Sequence, residues 1–228
     1  MQDAKPDPTP VADPNRTTVN DMHADLASVA DPRHTAVLVV DIQNLFVGFP
    51  LHPPVEEVLP RLHRFIHAAR SAGAMIVRIG IVVPEEMYSA VWQRQHGPLQ
   101  HGLPGSLLAP GSEAAAFYPG FEPEPGDVVI IKPRYSAFIG TPLETVLRSK
   151  GIRTVIVGGL TTDVCVGGTA RDAFQRDFTT ITLSDCAAEQ TLARHESGLA
   201  TLASVFGMVC DSSELLDVWG AQHSRAAV

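Results

Sequence analysis

TVIVGGLTTDVCVGGTARDAF, residues 154–174, is the stretch on which the fold turns. Thr154–Val157 is short, continuous and rich in β-branched residues, the pattern of a strand buried on both faces. Thr161, Thr162 and Asp163 are good helix-start residues, so a helix is expected over about 163–176. The same succession recurs outward in both directions. Further apolar runs stand at Ala36–Val40, Met75–Val83, Asp127–Ile131 and Thr179–Leu183, with a weaker one at Val205–Cys210. Candidate helices lie at about 55–72, 142–150, 188–204 and 212–220. In the first of these, Leu59, Leu62, Phe65, Ile66 and Ala69 recur at helical spacing. Strands buried on both faces that alternate with helices indicate an α/β fold with a single parallel sheet flanked by helices.

The rest of the chain sets bounds. Residues 1–30 carry Pro6, Pro8, Pro10 and Pro14 with few large apolar residues, and read as an extended or disordered arm ahead of a single domain over 31–228. The segment 84–126 is rich in Gly and Pro and has no clean period, so it reads as a long functional loop or lid. Tyr88, Trp92, Gln93 and Tyr118 within it either close over a substrate or meet a neighbouring subunit. The net charge is −8 and the basic residues are scattered, which argues against nucleic acid or an anionic membrane as partner. No apolar run reaches the roughly 20 residues a membrane helix needs, and MQDAKPDPTPVADPNR has no apolar core of a secretory signal. A cytoplasmic protein is expected. Cys165, Cys186 and Cys210 are an odd, widely spaced set, which suits neither a disulfide framework nor a structural zinc.

In open parallel sheets, sites form beyond the carboxyl ends of the strands. Asp41 stands directly after AVLVV, Lys132 directly after DVVII, and Cys165 just after TVIVGG. Each has an ordinary alternative: Asp41 as a helix cap, Lys132 as a strand-end lysine reaching water, Cys165 as a small buried hydrophobe. Together they put an acid, a cation and a nucleophile on one edge of one sheet. A position in the first turn of a helix is expected to lower the Cys165 thiol pKa. No histidine follows a strand in the same way, so the chemistry is expected to run on carboxylate and ammonium. Cys186 and Cys210 read as packing residues.

Three ordered motifs resemble the isochorismatase-like cysteine hydrolase superfamily: VLVVDIQNLF (37–46), IKPRYSAFIGTPLE (131–144) and GGLTTDVCVGGTARDAF (158–174). The resemblance covers about residues 34–215 and points to the branch of N-carbamoylsarcosine amidase, ureidoacrylate and biuret hydrolases. It implies a three-layer α-β-α sandwich with a six-stranded, Rossmann-like parallel sheet. It also implies an Asp41–Lys132–Cys165 catalytic triad, a cis peptide between Leu160 and Thr161, and a homo-oligomer, dimer or tetramer. An oxyanion hole would be formed by the backbone N–H groups of Thr161 and Cys165. Gln43, Phe46, Tyr135, Phe138 and Leu160 are the candidate substrate-binding residues. No cofactor and no metal is expected. The Asp-x-His metal motif of nicotinamidases is missing from RIGIVVPEEMYSAVW (78–92), and His96 and His101 read as loop residues. Gly167 and Gly168 suggest close approach of another backbone, from the sheet or from a second chain.

The activity so implied is hydrolysis of a C–N bond in a small linear amide, carbamoyl or ureide substrate through a thioester. A vinyl-ether hydrolase, a catalytically silent binding member of the fold and a redox-sensor thiol remain alternatives. The vinyl-ether activity would survive loss of Cys165, and the sensor lacks a nearby resolving cysteine.

Overall fold

A computed structural model describes residues 26–96 and 107–226. Its strands are β1 (Thr35–Val40), β2 (Met75–Ile81), β3 (Val128–Lys132), β4 (Thr154–Leu160), β5 (Thr179–Ala188) and β6 (Met208–Cys210). All neighbours pair in parallel, in the order β3-β2-β1-β4-β5-β6. The chain moves outward one way from β1 through β2 to β3. It then crosses back to lay β4 on the other side of β1. The switch in strand order thus falls between β1 and β4, where open parallel sheets part their connections and leave a crevice.

The five principal helices are α1 (Val55–Ala72), α2 (Leu143–Ser149), α3 (Gly167–Phe174), α4 (Leu192–Thr201) and α5 (Ser212–Ala226). The two-residue period of β1 sorts its side chains onto two cores. Val37 and Val39 face one core with Leu62, Phe65 and Ile66 of α1 and Leu215 and Trp219 of α5. Ala36, Leu38 and Val40 face the other, with Leu147 of α2 and Ala170 and Ala173 of α3. Two cores on either side of one sheet make three layers. Helix α1 follows its expected bounds and stops at Gly73, whose φ of 92° is a left-handed cap that suits glycine.

Several boundaries differ from the sequence reading, each for a local reason. Strand β4 runs on through Gly158 and Gly159 to Leu160, because neither glycine interrupts its pairing with β1. A Cβ at Gly159 would lie 2.0 Å from the Val40 carbonyl oxygen, so only glycine lets the two strands come this close. Strand β5 extends past Leu183 to Ala188, with a register shift opposite Val157 and Gly159 that absorbs the polar residues Ser184 and Asp185. The helix expected from 188 therefore begins only at Leu192, capped by the Thr191 side chain.

The segment 84–126 is less loose than its composition suggests. It includes the short helices Glu85–Met87 and Ala90–His96. Farther on, Asn44 and Leu45 N–H groups donate to the Ala116 and Ala114 carbonyls, and Tyr118 N–H donates to Ile42. His101, and the His96 side chain, lie outside the described residues. Of the expected N-terminal arm, residues 1–25 also lie outside them. Leu26 and Ala30 are buried in the first core, and Trp219 Nε1 donates to the Ala30 carbonyl at 2.7 Å.

The far end of the sheet carries an ionic lock. Asp127, just ahead of β3, accepts from Arg70 of α1 at 2.9 Å and from Arg78 of β2 at 2.9 Å, and both Arg78 and Asp127 side chains are almost wholly buried. Removing one partner leaves a buried charge uncompensated. Asp127→Ala is therefore expected to lower stability by about 3–5 kcal/mol in urea unfolding. A loss under about 1 kcal/mol would show that Glu124, 3.7 Å from Arg78, neutralises it unaided.

Candidate active site

Three strand ends deliver three side chains to the crevice. Asp41 follows β1 and takes the left-handed conformation, φ 52°, with its N–H bonded to the Ile79 carbonyl at 2.8 Å. Aspartate is among the few side chains that accept this region, at a cost on the order of 1 kcal/mol. Lys132 ends β3 and donates from Nζ to Asp41 Oδ2 at 2.7 Å and to the Arg134 carbonyl at 3.2 Å. Both charged side chains are 0 % exposed. Cys165 lies in a wide π-type turn, Thr162–Val166, that precedes α3. Its thiol is poised against both members of the ion pair.

The electrostatics correct one expectation. Cys165 is only 4 % exposed. Burial, and then the Asp41 carboxylate, push its thiol pKa up, and Lys132 only partly opposes them. The helix N-terminus expectation does not carry over, because burial and the adjacent carboxylate both disfavour the thiolate, and because a π turn stands where the first α-turn was expected. Burial likewise lifts Asp41 above the usual carboxylate range, against the pull of Lys132. Burial also works against the Lys132 charge, but the Asp41 carboxylate overcomes it and holds the ammonium charged. Asp41 Oδ1 has no well-formed hydrogen bond among the described residues. A resting thiol thus stands beside a carboxylate of raised basicity, itself pinned by a cation. The group can pass the thiol proton to the carboxylate as sulfur attacks a carbon.

A pocket of about 140 Å³ opens over Cys165. That is below the roughly 300–1,000 Å³ of pockets for drug-sized ligands, so it suits a small molecule. Phe46, Tyr135 and Thr161 line it. Phe49, Trp92 and Leu108 complete an apolar wall. Trp92 lies against Tyr135 with ring centroids 4.9 Å apart, and Arg134 covers the Trp92 ring at 5.0 Å. The peptide between Leu160 and Thr161 is cis.

The other candidate substrate-binding residues do not line this pocket. The Gln43 amide is consumed by the backbone: Oε1 accepts the Ile81 N–H at 2.8 Å, and Nε2 donates to the Ile81 carbonyl at 3.1 Å and the Ala115 carbonyl at 2.5 Å. Phe138 packs in the second core against Phe178, with Arg176 over its ring at 5.0 Å. Leu160 is wholly buried in the first core. Gly167 is crowded by its own turn: a Cβ there would lie 2.9 Å from the Thr162 carbonyl oxygen and from Arg171 Nη1. No second chain is needed to explain it.

The opposite wall, Glu189, Gln190 and Arg194, was missed. The signal was available: Glu189 directly follows β5, just as Asp41 follows β1, once β5 is traced to Ala188. Among the described residues no three His, Cys, Asp or Glu side chains gather in a way that could hold a metal ion.

Residues 35–214 match the family described as the isochorismatase domain. The chain is 33 % identical over 214 residues to the ureidoacrylate amidohydrolase RutB of Methylobacterium radiotolerans, covering 79 % of this chain and 78 % of that protein. It is also 33 % identical over 201 residues to the protein of the same name from Methylorubrum extorquens, covering 79 % and 81 %. Among solved structures, a cysteine hydrolase from Pseudomonas syringae pv. phaseolicola superposes with a TM-score of 0.74 at 26 % identity, covering 83 % of this chain and 94 % of that one. N-carbamoylsarcosine amidase from Thermoplasma acidophilum superposes with a TM-score of 0.65 at 27 % identity, covering 78 % and 96 %.

With its thiol pKa pushed up, Cys165 is expected to react sluggishly with iodoacetamide at pH 7, its labelling rate climbing only above the ordinary thiol pKa of about 8.5. Peptide mass spectrometry after timed labelling reads this out. Rapid alkylation of Cys165 at pH 6 would mean a resting thiolate.

Proposed function

The chain belongs to the isochorismatase family, and from that premise we propose that it is a cysteine amidohydrolase that cleaves the C–N bond of a small linear amide, carbamoyl or ureide substrate. The observation that carries this is the meeting of Asp41, Lys132 and Cys165 under a small pocket at the switch point of the sheet. The names of the relatives, ureidoacrylate amidohydrolase and N-carbamoylsarcosine amidase, support the substrate class.

In this reading Asp41 takes the thiol proton as Cys165 sulfur bonds to the substrate carbonyl carbon. The carbonyl π pair moves to oxygen, and the backbone N–H groups of Thr161 and Cys165 receive the oxyanion; such a donor is commonly worth about 10²–10³ in rate. The intermediate collapses, the C–N bond breaks, and Asp41 returns the proton to the departing nitrogen. Water then attacks the thioester, Asp41 accepts its proton, and sulfur leaves and is reprotonated. Lys132 stays charged throughout and stabilises the carboxylate in the form that accepts protons. Because the resting sulfur is a thiol, attack and proton transfer proceed together rather than from a stored thiolate.

The pocket narrows the substrate. Its aromatic wall suits a flat, short chain, and Arg194, with its side chain 46 % exposed, offers a guanidinium to an anionic end such as a carboxylate. We further propose a homo-oligomer, supported by Val129 and Ile131, which stand 44 % and 48 % exposed on the edge strand β3. A cytoplasmic location is supported by three buried, unpaired cysteines. No helix among the described residues is long and apolar enough to cross a membrane.

An ammonia-release screen over ureides, N-carbamoyl amino acids, maleamate and nicotinamide tests the activity. Cys165→Ser is expected to lose about a thousandfold or more in kcat while keeping the fold; undiminished turnover in that variant, or silence of the wild type on every amide, would sink the proposal. Arg194→Ala is expected to raise KM about 10- to 100-fold for carboxylate-bearing ureides, the worth of a hydrogen bond to a charged group, with neutral amides unaffected. Equal KM changes for both kinds of substrate would remove Arg194 from recognition.

A further inference from the structure

Glu189 is a pocket acid for which the mechanism above has no use. It directly follows β5, and its residue is 1 % exposed. Its main chain already pairs with His52 in both directions, at 2.7 and 2.9 Å, so the strand end does not need the side chain to stay in place. The carboxylate is spent elsewhere. Oε2 accepts the N–H of Asp163 at 3.2 Å, while Oε1 accepts the N–H of Gln190 at 2.9 Å and has Arg194 Nη1 at 3.5 Å. A buried carboxylate is costly unless its lone pairs are met, and here one oxygen reaches the turn that carries Cys165.

That turn is fastened from behind at the residue before as well. The Thr162 hydroxyl is hydrogen-bonded to His195 Nδ1 of α4 at 2.8 Å, and both side chains are buried. Helix α4 can lie this close because Gly198 faces the turn: a Cβ there would sit 3.2 Å from Asp163 Cβ. Asp163 is further held by Arg171, which donates to its carbonyl at 3.1 Å and its carboxylate at 3.2 Å. Only Glu189, among these anchors, also lines the pocket.

We propose that Glu189 is a positioning residue of the reaction, holding the Thr162–Val166 turn through the Asp163 N–H so that the Cys165 sulfur and the backbone donors at 161 and 165 keep their place relative to the substrate carbonyl. It touches none of the reacting atoms itself and acts through the backbone of the nucleophile turn. This inference rests on Cys165 being the nucleophile. An error of about 1 Å at a reacting group costs on the order of 10²-fold in rate, so a loosened turn shows in kcat before it shows in KM.

The test uses the full chain with Glu189→Leu and Glu189→Gln. It measures kcat and KM on whichever amide the wild type hydrolyses, and the iodoacetamide labelling rate of Cys165. Glu189→Leu is expected to lower kcat about 100-fold with KM within about threefold, and to label Cys165 about tenfold faster, because an unfastened turn exposes the thiol. Glu189→Gln keeps an oxygen acceptor and is expected to recover most of the loss, to within about tenfold of wild type, with labelling between the two. Slower turnover joined to faster labelling is a signature that a plain substrate contact does not produce. A rise in KM alone, or wild-type kcat and labelling in Glu189→Leu, overturns the proposal. If Glu189→Leu does not fold, Glu189→Gln decides: wild-type values for both kcat and labelling overturn it. Absence of ammonia release by the wild type overturns the catalytic reading instead, and the labelling arm still decides whether Glu189 fastens the turn.

Discussion

Two opposite charges, Lys132 and Asp41, lie 2.7 Å apart with no access to water. Neither could be left in such a place alone, because an isolated buried ion costs several kcal/mol after all relaxation. The pair therefore binds the edge strand β3 to the central strand β1, with β2 between them. Burial and the pair together set the state of everything nearby. Asp41 holds the ammonium charged, burial makes the carboxylate more basic than usual against the pull of Lys132, and burial with the Asp41 charge keeps the adjacent sulfur as a thiol. Pocket, turn and aromatic wall are built around that charge pair at the one place where the sheet reverses its order.

The residues that were legible in the sequence were those fixed by topology. Asp41, Lys132 and Cys165 each follow a buried apolar run, and a parallel sheet brings such positions to one edge whatever the side chains are. Phe46 and Tyr135, a few residues beyond those strand ends, reached the pocket for the same reason. Gln43, Phe138 and Leu160 show where this logic stops. They stand equally near strand ends, but which way a side chain turns depends on its neighbours: backbone groups of Ile81 and Ala115 for the amide, Phe178 and Arg176 for the ring, the first core for the leucine.

The other pocket wall was hidden by a boundary. Ser184, Asp185 and Cys186 interrupt the apolar run of β5, so the strand reads as finished five residues before it is, and Glu189 is no longer recognised as a strand-end acid. Arg194 was lost with it, because a helix begun too early gives no reason to aim that side chain at the crevice. The state of the thiol was misjudged differently. Helix position can be read from residues, whereas depth of burial belongs to the packed whole.

Gln43 has a consequence of its own. Its amide meets both polar groups of Ile81, as a neighbouring strand would, and so extends the sheet by one rung made of side chain. The rung works because the group is an oxygen and an NH₂ together. Glutamate has nearly the same shape, yet it would set oxygen against the Ile81 and Ala115 carbonyls and turn this rung from an attraction into a repulsion. At this position the identity of a single atom decides whether the side-chain rung joins the segment to the sheet or opposes the backbone bonds from Asn44, Leu45 and Tyr118 that also hold it.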